Sequence, residues 1–246
     1  MPFAIFLDLY RVLADPEEMN RQFRQRMAEI LYRDYGVPED RGLLIHDEAF
    51  EWYLREGKKL DAMHNIIGDG DAWEKVVREL DEKHICLVFK TISKDPPQNA
   101  SKFAKDFERE IVQGTDTIYP DVCEVLKILK DRGHRIIMST NATSHNGEAA
   151  LVGAGIRDLF NDVITLDVTK SKKDRQHYWK RAFEVTGIKL TEAVVVDDIV
   201  EYLTPAAAMG VKCIQMIRPK FVHLLKRGPF PVIESLTSLP PLLDKL

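Results

Sequence analysis

Cysteine is scarce in this 246-residue chain: Cys86, Cys123 and Cys213 are odd in number and widely scattered. That excludes a disulfide framework and a CxxC-type metal site, and predicts reduced, mostly buried thiols. No apolar run approaches the ~18 residues a membrane span needs, and the N-terminal stretch lacks a signal-peptide pattern. Basic blocks are missing too. Lys and Arg number 35 against 39 Asp and Glu, a formal charge of −4, which argues against nucleic acid as a partner. There is no GxxxxGK[ST] phosphate loop, no GxSxG elbow, no internal repeat and no low-complexity stretch. The histidines (His46, His64, His84, His134, His145, His177 and His223) show no ligand spacing. Gly153-Ala-Gly155 has Asp158 where a dinucleotide loop needs its third glycine, so it reads as the end of a helix. These absences leave a cytoplasmic globular protein as the expectation, with neither membrane nor nucleic acid among its partners.

What is present is 45% hydrophobic and 30% charged, within the globular range and with ample chain for a core. Two regions differ in pattern. From about residue 119, short apolar runs alternate with helical stretches. Arg135–Ser139, Asp162–Leu166, Ala193–Asp197 and Lys212–Ile217 are nearly continuous apolar runs, as parallel strands covered on both faces require. Between them lie predicted helices over Asp121–Asp131 and Asp174–Val185, with the aspartates at their N-termini and Gly133 and Gly187 as stops. This alternation means a doubly wound α/β sheet with crossover helices, and Phe3–Asp8 supplies one further strand at the N-terminus.

Residues 15–114 carry no comparable strand. Met19, Phe23, Met27 and Leu31 recur every four residues, and Phe103, Phe107 and Ile111 do the same behind Ser101, a candidate cap. Segments 47–56 and 71–87 read as helical, and Asp95-Pro-Pro-Gln-Asn99 as a break. A helical insertion of about one hundred residues therefore separates the first strand from the rest of the sheet. Trp52, Tyr53 and Trp73 are expected in its core more readily than in a cleft. Arg24, Arg26, Arg33, Arg41 and Arg55 are candidate anion clamps.

In a doubly wound sheet, ligands bind beyond the carboxyl ends of the strands. Here the first strand ends in Asp8, the second in Ser139-Thr140-Asn141 and the fourth in Asp197-Asp198, with Lys170, Lys172 and Lys173 after the third. Three neighbouring aspartates raise one another's pKa unless a cation neutralises them. A hard Mg²⁺, which favours carboxylates together with phosphate oxygens, resolves this.

This pattern resembles the haloacid dehalogenase (HAD) superfamily. The resemblance rests on FAIFLDLYRVL at 3–13, IIMSTN at 136–141, KKDRQHY at 172–178 headed by Lys172, and VVVDD at 194–198. Tyr119-Pro-Asp-Val and Lys130-Asp-Arg-Gly133 are similar to the family's approach to its second motif. It implies a Rossmann-like core over residues 1–14 and 115–246, with strand order 5-4-1-2-3, and a helical C1 cap over 15–114. It also implies roles. Asp8 would be the nucleophile. Thr140, with Asn141, would bind the transferring phosphate, and Lys172 would neutralise charge, with Lys173 as the alternative. Mg²⁺ would be held by Asp8, the Tyr10 backbone carbonyl and Asp198, with Asp197 acting through water. Arg11 would either add a phosphate contact or lie on the surface. The implied substrate is a small phosphorylated molecule.

Position 10 departs from the phosphatase pattern, whose general acid is an Asp. A phenol with an ordinary pKa near 10 exchanges protons poorly at neutral pH. Tyr10 resembles the Asp-x-Tyr-Gly-Thr of L-2-haloacid dehalogenases, whose halide leaves without a proton. Arg11 and Val12 do not follow that pattern, and Asp197-Asp198 is the metal-binding pair those enzymes lack. Phosphatase chemistry is therefore expected first, with a haloacid dehalogenase and a non-catalytic ligand-binding protein as the alternatives.

Overall fold

The continuous apolar runs build one parallel sheet. In a computed structural model describing residues 2–95 and 98–246, the strands are β1 (Ala4–Leu7), β2 (Arg135–Ser139), β3 (Asp162–Ile164), β4 (Ala193–Asp197), β5 (Lys212–Met216) and β6 (Val232–Ile233). Their order is β3-β2-β1-β4-β5-β6, every pairing parallel. This is the expected 5-4-1-2-3 arrangement with one short strand added at the β5 edge. Strand β1 is central: Phe6 faces Ile137 of β2 on one side and Val195 of β4 on the other. All four β1 residues are buried, which accounts for a strand with no alternating polar face.

The chain divides into two compact units, one comprising the residues up to Pro16 with Thr117–Leu246, the other Glu17–Asp116. The second unit is helical: α1 (Pro16–Tyr35), α2 (Glu39–Ile67), α3 (Asp71–Thr91) and α4 (Ala100–Gln113). Its core joins Met27 and Leu31 of α1, Ile45 and Ala49 of α2, Ile85, Val88 and Phe89 of α3, and Phe107 and Ile111 of α4. The helix expected at 47–56 is the middle of the much longer α2. It runs through Gly42 because a Cβ there would lie 2.9 Å from the Ala28 Cα; glycine lets α1 and α2 approach closely. The cap of α4 is Asn99, whose side chain accepts from the Lys102 N–H, and not Ser101. Pro96 and Pro97 of the expected break lie outside the described residues.

The sheet unit is completed by α5 (Val122–Asp131), α6 (Ser144–Gly153), α7 (Leu166–Thr169), α8 (Gln176–Thr186) and α9 (Val200–Ala208). Tyr178, Trp179, Ala182 and Phe183 give α8 a buried stripe. That stripe joins Phe6, Ile137, Val195 and Leu203 in one core cluster. The Phe6 ring meets Phe183 and Trp179 edge-on, with centroids 5.3 and 6.3 Å away. Gly187 closes α8 at φ 66°, its N–H bonded to the Phe183 carbonyl.

Two expectations are corrected here. The third strand stops at Ile164, because Leu166 already begins the single turn of α7. Asp121 does not cap α5 with its side chain; its Oδ2 accepts from Arg218 Nη1, Ser235 Oγ and the Leu236 N–H. Among the described residues, no helix is long and apolar enough to cross a membrane.

Candidate active site

The parallel register brings the C-terminal ends of β1, β2 and β4 side by side. Asp8 follows β1 directly and extends its pairing, its N–H bonded to the Val196 carbonyl at 3.1 Å. Thr140 and Asn141 follow β2, Asp197 ends β4 and Asp198 comes next. Asp8, Asp197 and Asp198 are all buried, and each offers a carboxylate oxygen within 4.8 Å of the others.

The ammonium among them belongs to Lys173, one residue beyond the expected Lys172. Its Nζ donates to Asp8 Oδ1 at 2.5 Å, Asp197 Oδ2 at 2.6 Å and the Ser139 carbonyl at 3.2 Å. Those three acceptors use all three of its N–H bonds. The backbone explains the register. Lys170 ends α7 in the left-handed region (φ 54°), and the Asn141 side chain then accepts from the Lys173 N–H at 2.9 Å. Asn141 thereby fixes the lysine-bearing loop to the end of β2. Trp179 Nε1 holds the same loop from below, donating to the Lys173 and Tyr202 carbonyls.

Each oxygen of Asp197 has a partner: Oδ1 accepts from the Ile199 N–H and Oδ2 from Lys173. Asp198 instead meets Arg11, with Nη1 2.7 Å from Oδ2. Thr140 Oγ1 accepts from the Ala142 N–H at 3.1 Å, leaving its own proton to donate elsewhere. Tyr10 is half-buried in the turn after β1, where it bridges Ala14.

Three carboxylates thus face two cationic side chains, one negative charge in excess when all are ionised. Burial pushes the Asp8 carboxyl up to about 8; Lys173 offsets part of that, while Asp197 and Asp198 add to it. Burial and Asp197 push Asp198 up to about 6, against Arg11. Burial alone would pull Lys173 down, but Asp197 and Asp8 hold it above the ordinary lysine range, so the ammonium stays charged. An under-neutralised cluster of hard oxygen donors fits a divalent cation, and such an ion would draw both carboxyls back toward ionisation.

Two functional neighbours carried no sequence signal beyond their helical stripe. Tyr178, fully buried, donates through its hydroxyl to the Thr140 and Ile164 carbonyls and so ties the ends of β2 and β3 together. The ring of Tyr202 lies 5.1 Å from Lys173 Nζ. In the helical unit, the candidate clamps Arg24, Arg26, Arg33 and Arg55 pair with carboxylates of their own unit. Trp73 is buried and stacks on His64.

Residues 4–210 match the family model of haloacid dehalogenase-like hydrolases. A glyceraldehyde 3-phosphate phosphatase from Methanocaldococcus jannaschii is 27% identical over 104 residues, 42% of this chain and 46% of that protein. The match therefore spans less than half of that relative. Among solved structures, the L-2-haloacid dehalogenase of Xanthobacter autotrophicus with chloropropionic acid covalently bound superposes with a TM-score of 0.62 at 20% identity, covering all of both chains. A HAD phosphatase from Thermococcus onnurineus gives 0.59 at 21% identity, covering 99% of this chain and 98% of that one. The sheet order, the strand-end aspartates and the family match agree: the chain belongs to the haloacid dehalogenase-like hydrolases.

Proposed function

We propose that this hydrolase is a Mg²⁺-dependent phosphatase acting on a small phosphorylated molecule through Asp8. The observation that carries the reading is the gathering of three carboxylates, Asp8, Asp197 and Asp198, around only two cations, Lys173 and Arg11, so that full ionisation calls for a further positive charge. A site so charged opposes the free carboxylate of a haloacid, whereas a metal-neutralised one receives a phosphate.

The ion would be held by Asp8, Asp198 and the Tyr10 carbonyl, with Asp197 through water. When bound, it supplies Lewis-acid neutralisation of the phosphate oxygens. Asp8 Oδ2, the oxygen not bonded to Lys173, attacks phosphorus, and the ester P–O bond breaks to give an aspartyl phosphate. With no carboxylic acid at position 10, the departing oxygen leaves as an oxyanion and takes its proton from solvent after release. Water then attacks the same phosphorus; the aspartyl P–O bond breaks, returning the Asp8 carboxylate and releasing phosphate. Lys173 holds Asp8 in place and offsets its charge throughout. Thr140 donates its free hydroxyl proton to a phosphate oxygen, and Asn141 acts by positioning Lys173. The helical unit stands in the sequence position of a C1 cap and in this reading selects the substrate.

The test is phosphate release from an aryl phosphate with and without Mg²⁺, for the natural chain and Asp8→Asn. Release that needs both the metal and Asp8 is the expected result; release that needs neither refutes the reading. Tyr10 favours a second reading, an L-2-haloacid dehalogenase. Halide release from a 2-haloacid, with no phosphate release, would establish it.

A further inference from the structure

We infer that Arg11 is an internal counter-cation that competes with the divalent metal for Asp198, an inference that rests on the Mg²⁺-dependent reading above. Two positive side chains stand among the three carboxylates, and they differ in how firmly they are held. Lys173 is 1% exposed and has three acceptors around its Nζ. Arg11 has a side chain 30% exposed, and it meets the almost fully buried Asp198 through Nη1 at 2.7 Å. Its Nε is buried with no hydrogen-bond partner, so the guanidinium is seated by the carboxylate it neutralises and not by a full set of acceptors.

The backbone points the same way. Arg11 lies at φ 61°, a conformation that L-residues with a Cβ rarely hold. The Arg11 N–H to Ala14 carbonyl bond, at 2.7 Å, keeps it there, with Leu13 and Ala14 both bonded back to the Leu9 carbonyl. This tight turn aims a long cationic side chain at the one carboxylate of the three that Lys173 does not reach. A dication arriving at Asp198 meets a guanidinium already on Oδ2, and of the two cations Arg11 is the one with an outward path. Metal loading and the Arg11–Asp198 pair are therefore alternatives, and loading releases the guanidinium.

Isothermal titration of Mg²⁺ into the full chain, with no substrate present, tests this. The variants are R11Q, R11G (glycine being at ease at this φ) and R135Q, which removes an equal charge from the Arg135–Asp162 pair at the amino-terminal ends of β2 and β3, the opposite edge of the sheet from the carboxylates. Thermal melting checks that each is folded. R11Q and R11G are expected to bind Mg²⁺ at least tenfold more tightly than the natural chain, about 1.4 kcal/mol. R135Q should stay within about threefold, because its pair lies a strand's length from the carboxylates and charges that far apart are screened. Equal or weaker binding by both Arg11 variants overturns the competition and leaves the Mg²⁺ reading standing, as does equal tightening by R135Q. Binding by the Arg11 variants alone supports the competition and removes the Mg²⁺ reading of the natural chain. No binding by any variant overturns both.

Discussion

Replacing Lys173 by Met separates the two candidate lysines, because the structure gives them unequal work. Lys173→Met keeps the length of the side chain and deletes an ammonium that two buried carboxylates and a backbone carbonyl share. Each charge-assisted bond to Asp8 and Asp197 is worth roughly 1.5–3 kcal/mol, and the Ser139 contact about 1. The sum overstates the loss, since Asp8, already pushed up to about 8 by burial, takes a proton once the ammonium is gone. Asp197 keeps the Ile199 N–H but loses its ammonium partner while fully buried beside Asp198. Removing one partner of a buried ion pair typically costs about 3–5 kcal/mol, and that is the expected destabilisation of the sheet unit.

At about 2–4 °C per kcal/mol for a chain of this size, its melting midpoint should fall by roughly 6–20 °C. Scanning calorimetry is the assay, because it reads the midpoint and enthalpy of unfolding directly. Lys172→Met, at a half-buried position, should cost less than about 1 kcal/mol. Equal losses for the two variants, or a Lys173→Met loss under about 1 kcal/mol, would refute the assignment of the ammonium and the electrostatic argument built on it.

Asp121→Asn should lower stability by about 2–3 kcal/mol in urea titrations, as it weakens one carboxylate that serves Arg218, Ser235 and the Leu236 N–H. Burial alone would raise the Asp121 pKa, but these donors bring it below the usual aspartate value. Its contribution is therefore complete above about pH 4 and lost as pH falls through the lower folded value, so the Asn variant should show a flatter acid limb. Tyr178→Phe deletes the hydroxyl shared by the Thr140 and Ile164 carbonyls. It should cost about 1–3 kcal/mol and speed amide exchange at Thr140, whose N–H is bonded to Ile164. Tyr10→Asp restores an acid at the phosphatase position and should raise alkyl phosphate turnover by ~10²-fold or more, with a smaller gain on aryl phosphates. Equal gains on both would contradict the role assigned to position 10.

The strand ends were legible in the sequence because parallel, doubly covered strands are continuous apolar runs, and the residue that ends each run has nowhere to go but the carboxyl edge of the sheet. Asp8, Thr140, Asp197 and Asp198 follow from that alone. The lysine register does not. Three lysines occupy positions 170–173, and the one that turns inward is set by the left-handed Lys170 and by the Asn141 side chain, which comes from another strand end. Asp121 misled for the same reason: it stands where a cap belongs, but its donors come from Arg218, Ser235 and Leu236, about a hundred residues later. Strand β6 has two residues, too few to carry any period, and exists because β5 offers it an edge. Local pattern decides where elements lie; long-range bonds decide which side chain of a polar cluster is used.

The turn from Leu9 to Ala14 is where both departures from the family pattern fall, and the structure links them. A left-handed residue is needed at position 11 for the chain to double back onto the Leu9 carbonyl, and glycine would meet that need without strain. Arginine meets it at a cost of roughly 1–2 kcal/mol, so its presence asks for a compensating interaction. The structure provides one, the 2.7 Å pair with Asp198, in which a buried carboxylate of the excess-charge cluster gains a counter-ion. Local rules are broken most often at functional sites, and here a strained cation and a phenol sit side by side on the loop that follows Asp8. On the phosphatase reading proposed above, a phenol at position 10 leaves the turn without a carboxylic acid to protonate a departing oxygen. Substrates whose leaving groups need no proton are the ones such a turn serves best.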